Sequence, residues 1–533
     1  MKLFGRLSGP LLLVIFALIS FPSKAEQTSA FVGGNCVDIN GMYVALGNGS
    51  SGILGNFNKE TELLTFARNN GINYLIFYNL EGMSNVQGRE DDLANLISRA
   101  KNYFGVQQVA AALGAAASAD EIVNYNSNRS NEERIDVLNL EYEFWHGSDR
   151  AASFQNTLNI LSYFSTVATQ HNLETEIYIG WITEQEGASL ADAVDRVLVH
   201  YYRQNDLNII NYGLDRLEYL ASGNSSVKIA PIFSNEGPEN TGDPTGYFMG
   251  PWLETHSIDQ PFKTWLSEYQ QLGEQWQQNL EVMGSTWFLY NYFADINSTA
   301  VNHITSNPTG AEVCNGDSVD LTVTSSAVAK DIGWFKDGVC LTNGGSYQNA
   351  DSSVLSITSI GTEQYGSYSA RVVSYDTSNP TSQVSQSASV SKDPTCAAST
   401  TNLALGKPVI ASSYIAAGYE PGKVVDGVTS NSRWASEYQG DQWVQVDLGG
   451  VFSLSQIDII WDAAYALNYQ ILVSLDGAGW SEISSISANQ NLYNSFQYQG
   501  TNARYIRVLG AQKALPQWGY SMEEIEVYGD PVI

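Results

Sequence analysis

The segment Ile135-Asp-Val-Leu-Asn-Leu-Glu-Tyr-Glu-Phe-Trp145 carries an amide and two carboxyls at alternate positions: Asn139, Glu141 and Glu143. In extended chain, residues i and i+2 face the same side about 6.6 to 6.8 Å apart, so all three are expected on one face. Like charges at that spacing raise one another's pKa, and burial adds to the effect. A carboxyl kept protonated near neutral pH is what a general acid needs. A further carboxyl, Glu236, closes the run Pro231-Ile-Phe-Ser-Asn-Glu236. Retention through a covalent nucleophile would require two carboxyls about 5 to 5.5 Å apart. Without that chemistry, Glu141 and Glu143 read as solvated charges at a strand end and Glu236 as an ordinary loop charge. No Ser/His/Asp order or nucleophile elbow is present, which disfavours acyl transfer. His146 and His200, beside the acidic segment, read as hydrogen-bonded structural residues.

These groups need a scaffold that gathers strand ends. Residues 31–300 alternate short β-branched or aromatic runs with amphipathic stretches. Strands are expected at Met42 to Leu46, Asn73 to Tyr78, Gln107 to Leu113, Ile135 to Phe144, Thr175 to Trp181, Val197 to Tyr202, Val227 to Phe233 and Ser285 to Tyr292. Helical spacing recurs between them, as at Glu60 to Asn69, Asp91 to Phe104, Ala152 to Gln170 and Pro261 to Leu280. Strand and helix in alternation, with no Gly-rich phosphate loop after the first strand, predict a (β/α)8 TIM barrel rather than an open sheet. Such barrels carry their chemistry at the C-terminal strand ends. Tyr78, Trp145, Trp181 and Tyr290 fall near those ends and are candidate substrate-binding rings, since an exposed ring can stack on an apolar ligand face.

Asp136-Val-Leu-Asn139-Leu-Glu141-Tyr-Glu143 resembles the fourth-strand signature Asp-x-x-Asp-x-Asp-x-Glu of glycoside hydrolase family 18. It keeps the spacing but has Asn and Glu where the two middle aspartates belong. The resemblance implies Glu143 as general acid/base, Glu141 as the group that orients or stabilises the reacting intermediate, and Asn139 as a supporting partner. It further implies a sixth-strand tyrosine, matched by Tyr201 or Tyr202, and a tryptophan on the floor of the site, matched by Trp287. The longer Glu141 side chain moves its carboxyl outward by about 1.5 Å, which matters because proximity catalysis depends on such distances. A rival assignment keeps Glu143 as acid and makes Glu236, after strand seven, the nucleophile. No cofactor is expected for catalysis.

The whole chain of 533 residues carries 26 Lys and Arg against 56 Asp and Glu, a net charge of −30. That field repels phosphate backbones and anionic membranes, so neither nucleic acid nor membrane insertion is expected. Lys2 and Arg6, the apolar stretch Leu11 to Ile19, and Ala25 predict a removable secretory signal over residues 1–25. The expected location is secreted, extracellular, cell-surface or periplasmic. Cys36, Cys314, Cys340 and Cys396 are an even number for an oxidising compartment, with three pairings open.

Beyond the barrel the composition turns to Ser, Thr, Val and Gly. Residues 310–395 read as a small β-sandwich, and Trp334-Phe-Lys-Asp-Gly338 followed by Tyr365-Gly-Ser-Tyr368 resembles the core Trp and tyrosine corner of immunoglobulin-like domains. This part reads as a spacer, followed by a linker at 396–401. Residues 402–530 contain Asn402-Leu-Ala-Leu-Gly-Lys-Pro408, Val425-Asp-Gly427, Gln442-Trp-Val-Gln-Val-Asp-Leu-Gly449, Ser474-Leu-Asp-Gly477, Arg504-Tyr-Ile-Arg507 and Glu524-Ile-Glu-Val-Tyr-Gly529. Together these resemble the discoidin or factor V/VIII type C domain, a β jelly roll similar to family 32 carbohydrate-binding modules. The resemblance implies glycan as partner and a structural Ca2+ near Asp426 and Glu524. Loop aromatics Tyr414, Tyr419, Tyr438 and Trp518 are the candidate contacts, while Trp434, Trp443 and Trp480 fall inside landmark strands and read as core.

Two functions follow from this organisation. One is a secreted, endo-acting glycoside hydrolase held on its polysaccharide by a C-terminal module, since tethering raises local substrate concentration. The other is a noncatalytic glycan-binding or adhesion protein with a degenerate barrel. A groove lined by Trp or Tyr around the carboxyls favours the first, and a Lys or Arg capping Glu143 favours the second.

Overall fold

The structure is a computed structural model that describes residues 30–47, 52–85, 87–237, 249–293, 303–377, 380–393, 401–438 and 440–532. The expected leader 1–25, Cys396 and most of the linker lie outside the described residues. The chain forms two compact units, 1–300 with 338–340, and 301–337 with 341–533. Among the described residues no helix is long and apolar enough to cross a membrane.

In the first unit eight parallel strands close on themselves: β1 (Ile39–Ala45), β2 (Tyr74–Tyr78), β3 (Gln108–Leu113), β4 (Val137–Leu140), β5 (Glu174–Ile179), β6 (Arg196–His200), β7 (Val227–Ser234) and β8 (Gly284–Phe288). Each pairs with its neighbour in sequence, and β8 returns to β1. The expected barrel is therefore present. Its strands are near-continuous apolar runs, as chain buried on both faces requires. Outer helices include α1 (Phe57–Asn69), α2 (Arg89–Tyr103), α3 (Ser118–Ser127), α4 (Arg150–His171), α5 (Glu184–Ala191), α6 (Leu214–Ala221) and α7 (Gln260–Leu272). Local capping fixes several starts. Asp149 accepts from the Ala152 amide at the head of α4, and Thr183 and Glu186 form a reciprocal box at the head of α5.

Two strands stop a full four residues short of their expected ends. β4 stops at Leu140, after which the Glu141 amide still donates to Leu113 O at 2.9 Å. The chain then turns, with Glu143 at the head of a short helical turn over Phe144–His146. β8 stops at Phe288, and Tyr290–Phe293 is helical. Cys36 and Cys340, both in the first unit, form a disulfide. Cys314 is also disulfide-bonded.

The second unit is built of mostly antiparallel β-structure in two regions, Ala311–Val313 pairing in parallel with Ala388–Lys392. In residues 303–393, strands Lys330–Lys336 and Gly366–Ser374 anchor one sheet and Val319–Thr322 pairs with Val354–Ile357 in another. Trp334, Leu321, Leu355 and Val372 form the core between them. Tyr368 Oη donates to Gln364 O at 2.5 Å. In residues 401–532, the long strands Gln442–Trp461, Ala466–Ser474, Tyr493–Lys513 and Ser521–Pro531 enclose Trp434, Trp461, Tyr469 and Ile506. Register breaks near Asp447 and Leu454 let the longest strands bend around this core.

Candidate active site and glycan-binding cleft

The barrel interior holds a polar chain that runs to its C-terminal mouth. Asn139, Glu176 and Arg196 are successive partners across β4, β5 and β6, so their side chains meet inside the barrel. Arg196 Nε donates to Glu176 Oε2 at 2.5 Å, and its guanidinium lies 4.6 Å from the Tyr74 ring centroid. Glu176 Oε1 accepts from Tyr74 Oη at 2.8 Å and from Asn139 Nδ2 at 2.7 Å. Asn139 Nδ2 also lies 3.1 Å from Tyr43 Oη, which in turn donates to Glu141 Oε2 at 3.2 Å. Buried polar groups are stable when satisfied, and this chain satisfies its members in sequence except Arg196 Nη2, which is buried without a hydrogen-bond partner.

Glu141 is therefore at the inner edge of the mouth. Burial pushes its carboxyl up to about 8, opposed by hydrogen bonds from Tyr43 and Tyr78 and reinforced by the charges of Glu143 and Glu176. A proton stays on it at neutral pH. Glu143 lies outside the strand, its side chain 50% exposed, with His146 Nε2 at 3.7 Å. No Lys or Arg caps it among the described residues. Glu236 sits half-buried after β7, its Oε2 accepting from Ser234 Oγ at 2.9 Å, and burial raises its carboxyl. The Tyr202 hydroxyl feels the charges of both Glu141 and Glu236.

Aromatic rings line this opening. Phe288 packs on Tyr43, Tyr78 and Tyr202 with centroids 5.9, 6.3 and 6.1 Å away. Tyr178 touches Tyr202 at 6.4 Å and Trp145 at 5.7 Å. A Cβ at Gly180 would come within 2.7 Å of Trp145, so only glycine leaves space for that indole. Trp181 stands at the rim, 49% exposed. His200 is clamped by Tyr178 Oη on Nδ1 at 2.8 Å and Tyr212 Oη on Nε2 at 3.2 Å. Burial and the nearby Arg216 lower it to about 3, so it is a neutral structural imidazole, in line with the sequence expectation.

Several expected site residues turn elsewhere. Strand alternation sends Trp287 outward against Phe233 and Phe293, and Phe288 faces the mouth in its place. Tyr201 packs under the helical layer against Trp265, so Tyr202 is the sixth-strand tyrosine at the opening. Tyr290, lifted out of the barrel by the helical turn, meets Phe66 of α1. Tyr43, Glu176, Arg196 and Tyr178 are site residues that sequence reasoning missed. Their signal was charged or phenolic residues at alternate positions inside otherwise apolar strands.

In residues 401–532 a cleft of about 280 Å³ is lined by Tyr419, Arg433, Tyr438, Asp462, Leu515 and Trp518, among others. Tyr438 and Trp518 are half exposed, their rings 6.1 Å apart and inclined by 66°. The Arg433 guanidinium covers Tyr419 at 5.1 Å and its Nε lies 3.3 Å from Asp462. Tyr414 is exposed but does not line the cleft. Trp434 is core, as expected. Trp443 and Trp480 are not. They flank the Arg507 guanidinium at 4.3 and 3.9 Å, on the side of the sheet away from the core.

Glu524 Oε1 accepts from the Gly427 amide at 3.1 Å, while its buried Oε2 has no partner. Burial and the adjacent Asp426 raise this carboxyl to about 7. An orphaned buried oxygen beside a second carboxylate is a donor set that suits a hard cation. Among the described residues no group of three or more acidic, His or Cys side chains is spaced to hold a metal, so backbone carbonyls would have to complete such a site.

Comparison with known proteins adds one family. Residues 408–525 match the F5/8 type C domain. No curated protein matches the chain. Similar solved structures include chitosan-binding module 2, in complex with chitotriose, from the chitosanase/glucanase of Paenibacillus sp. IK-5, at 38% identity over 24% of this chain and 100% of that one, TM-score 0.23. Chitosan-binding module 1 of the same enzyme is 37% identical over 24% of this chain and 99% of that one, TM-score 0.23. A fucose binding module of Streptococcus pneumoniae is 21% identical over 24% and 96%, TM-score 0.22. The chain thus joins a closed eight-stranded parallel barrel, through further β-sheet structure, to a discoidin-type C-terminal domain.

Proposed function

We propose that this protein is a secreted glycoside hydrolase of the family 18 type that acts within a polysaccharide, with the barrel mouth as its active site. The observation that carries the reading is the pairing of Glu141, which holds a proton at neutral pH, with the exposed Glu143 in an opening walled by aromatic rings. Glu143 is the group that meets the glycosidic oxygen, and Glu141 is the proton store behind it. A carboxyl at the scissile bond, with a second carboxyl close enough to feel its charge, is the machinery that acid/base cleavage uses. Tyr43 and Tyr78 hold Glu141 in place, and Trp181 and Tyr202 offer rings for sugar stacking, while Trp145 is buried in the core behind them. Glu236, across Tyr202, is the remaining carboxyl available to a covalent route.

In this reading the middle β-region is an immunoglobulin-like spacer. The cleft at Tyr438 and Trp518 holds glycan, and a structural Ca2+ bound near Asp426 and Glu524 stiffens the loops beside it. The test is digestion of a polysaccharide panel with wild type and Glu143→Gln. Released oligosaccharides that vanish in the variant support the assignment. Equal activity in the two proteins removes it, and an inactive wild type across the whole panel favours the glycan-binding alternative.

A further inference from the structure

Beside the carboxyls, on the β5 and β6 side of the mouth, two arginines lie against one tyrosine. The Arg216 guanidinium is 4.8 Å from the Tyr212 centroid and 5.8 Å from that of Trp181, and it donates to His200 O at 2.6 Å. The Arg203 guanidinium is 4.9 Å from the same Tyr212 ring. Arg203 is partly exposed, and its Nε is buried without a hydrogen-bond partner. Among the described residues neither arginine forms an ion pair. In a chain with 56 acidic side chains against 26 basic ones, two guanidinium groups on one tyrosine ring, both left without carboxylates, are an unusual placement. Gathering like charges around one ring in a partly buried setting is unfavourable unless an anion completes them. A guanidinium fork is also the group best shaped to receive a carboxylate or sulfate through paired N–H donors.

We infer that Arg203 and Arg216, both held on the Tyr212 ring, with Arg216 also against the exposed Trp181, form a subsite for an anionic sugar residue, one bearing a carboxylate or a sulfate ester. The indole offers a stacking face and Arg203 receives the charge. Arg216, buried and bonded to the His200 carbonyl, adds field rather than direct contact. The inference deepens the active-site reading and takes the location of the saccharide from it. It names an acidic substrate class, which that reading left open.

The experiment is calorimetric titration of the full chain carrying Trp518→Ala, which removes an aromatic wall of the C-terminal cleft. The probes are tetragalacturonate, its methyl ester, a carrageenan tetrasaccharide and its desulfated form. At least one charged probe is expected to bind about 10-fold or more tightly than its neutral counterpart. That preference should fall at least about 10-fold in Arg203→Gln and weaken between about 50 and 500 mM salt, as ionic screening requires. Because Arg203 is partly exposed and forms no ion pair, the variant is expected to melt with the parent. The charged probe that binds separates carboxylate from sulfate. Equal binding of every charged and neutral pair, or a preference that survives Arg203→Gln, overturns the subsite. Adding Glu143→Gln distinguishes this from failure of the hydrolase reading, since charge-dependent binding does not need turnover.

Discussion

Glu141→Gln should make the barrel more stable at alkaline pH while abolishing its chemistry. The Glu141 carboxyl moves from about 4.5 to about 8 on folding because burial disfavours its charge. Below pH 4.5 both states hold the proton and nothing is lost. Between 4.5 and 8 the native state keeps a proton that the unfolded chain has released, so stability falls as pH rises, by about 1.4 kcal/mol per unit. The full window corresponds to a ceiling of about 5 kcal/mol, and because Glu141 is not wholly enclosed about 2 to 3 kcal/mol is expected. Gln retains an acceptor for Tyr43 and has no charge to expose, so it escapes this loss. For a domain of this size 1 kcal/mol shifts Tm by about 2 to 4 °C, giving a gain of about 4 to 12 °C at pH 8.5. The assay is paired thermal scanning of wild type and variant at pH 4.5, 6.5 and 8.5 at one scan rate. The difference in Tm should be near zero at pH 4.5 and widen with pH. A difference that does not change with pH, or a variant less stable at pH 8.5, refutes the buried-proton argument.

Glu143→Gln should lower kcat by about 100-fold to 10,000-fold with little change in KM, because it removes proton transfer and little binding. Glu176→Gln removes the buried partner of Arg196 and leaves it only the more distant Glu174 carboxylate at 3.6 Å, which should cost about 3 to 5 kcal/mol in a denaturant titration. Trp518→Ala is expected to weaken retention on insoluble polysaccharide by about 10-fold, roughly 1.4 kcal/mol, while turnover of a soluble oligosaccharide stays unchanged. Adding EDTA should lower the melting transition of the C-terminal domain, and Glu524→Gln should remove that sensitivity; scanning calorimetry with and without Ca2+ reads both.

The architecture was legible because strand and helix periodicities alternate so regularly from Met42 to Phe288. The pairing of Asn139 with Glu141 followed from period-two spacing, and the structure keeps it. Glu143 broke the pattern because β4 runs out at Leu140, and nothing local in Leu-Glu-Tyr-Glu announces the turn. Trp287 and Tyr201 were each one residue out of phase. A single-residue change in phase exchanges barrel interior for helical layer, and propensity does not set that phase. The Arg196–Glu176 pair was invisible as a site because its meaning depends on register between strands, which only the closed barrel supplies. Trp443 and Trp480 misled for the opposite reason: a bulky residue inside a strand reads as core, whereas here both rest against Arg507 on the far side of the sheet.

The amide of Glu141 is anchored to the carbonyl of Leu113, whereas Glu143 belongs to the turn that follows. One carboxyl is thus welded into the frame and its partner rides on a connector. On the proposed hydrolase reading, lengthening or resculpting that connector would redirect the outer carboxyl toward a differently shaped bond and leave the inner one untouched, so new linkages could be explored by editing a handful of loop codons.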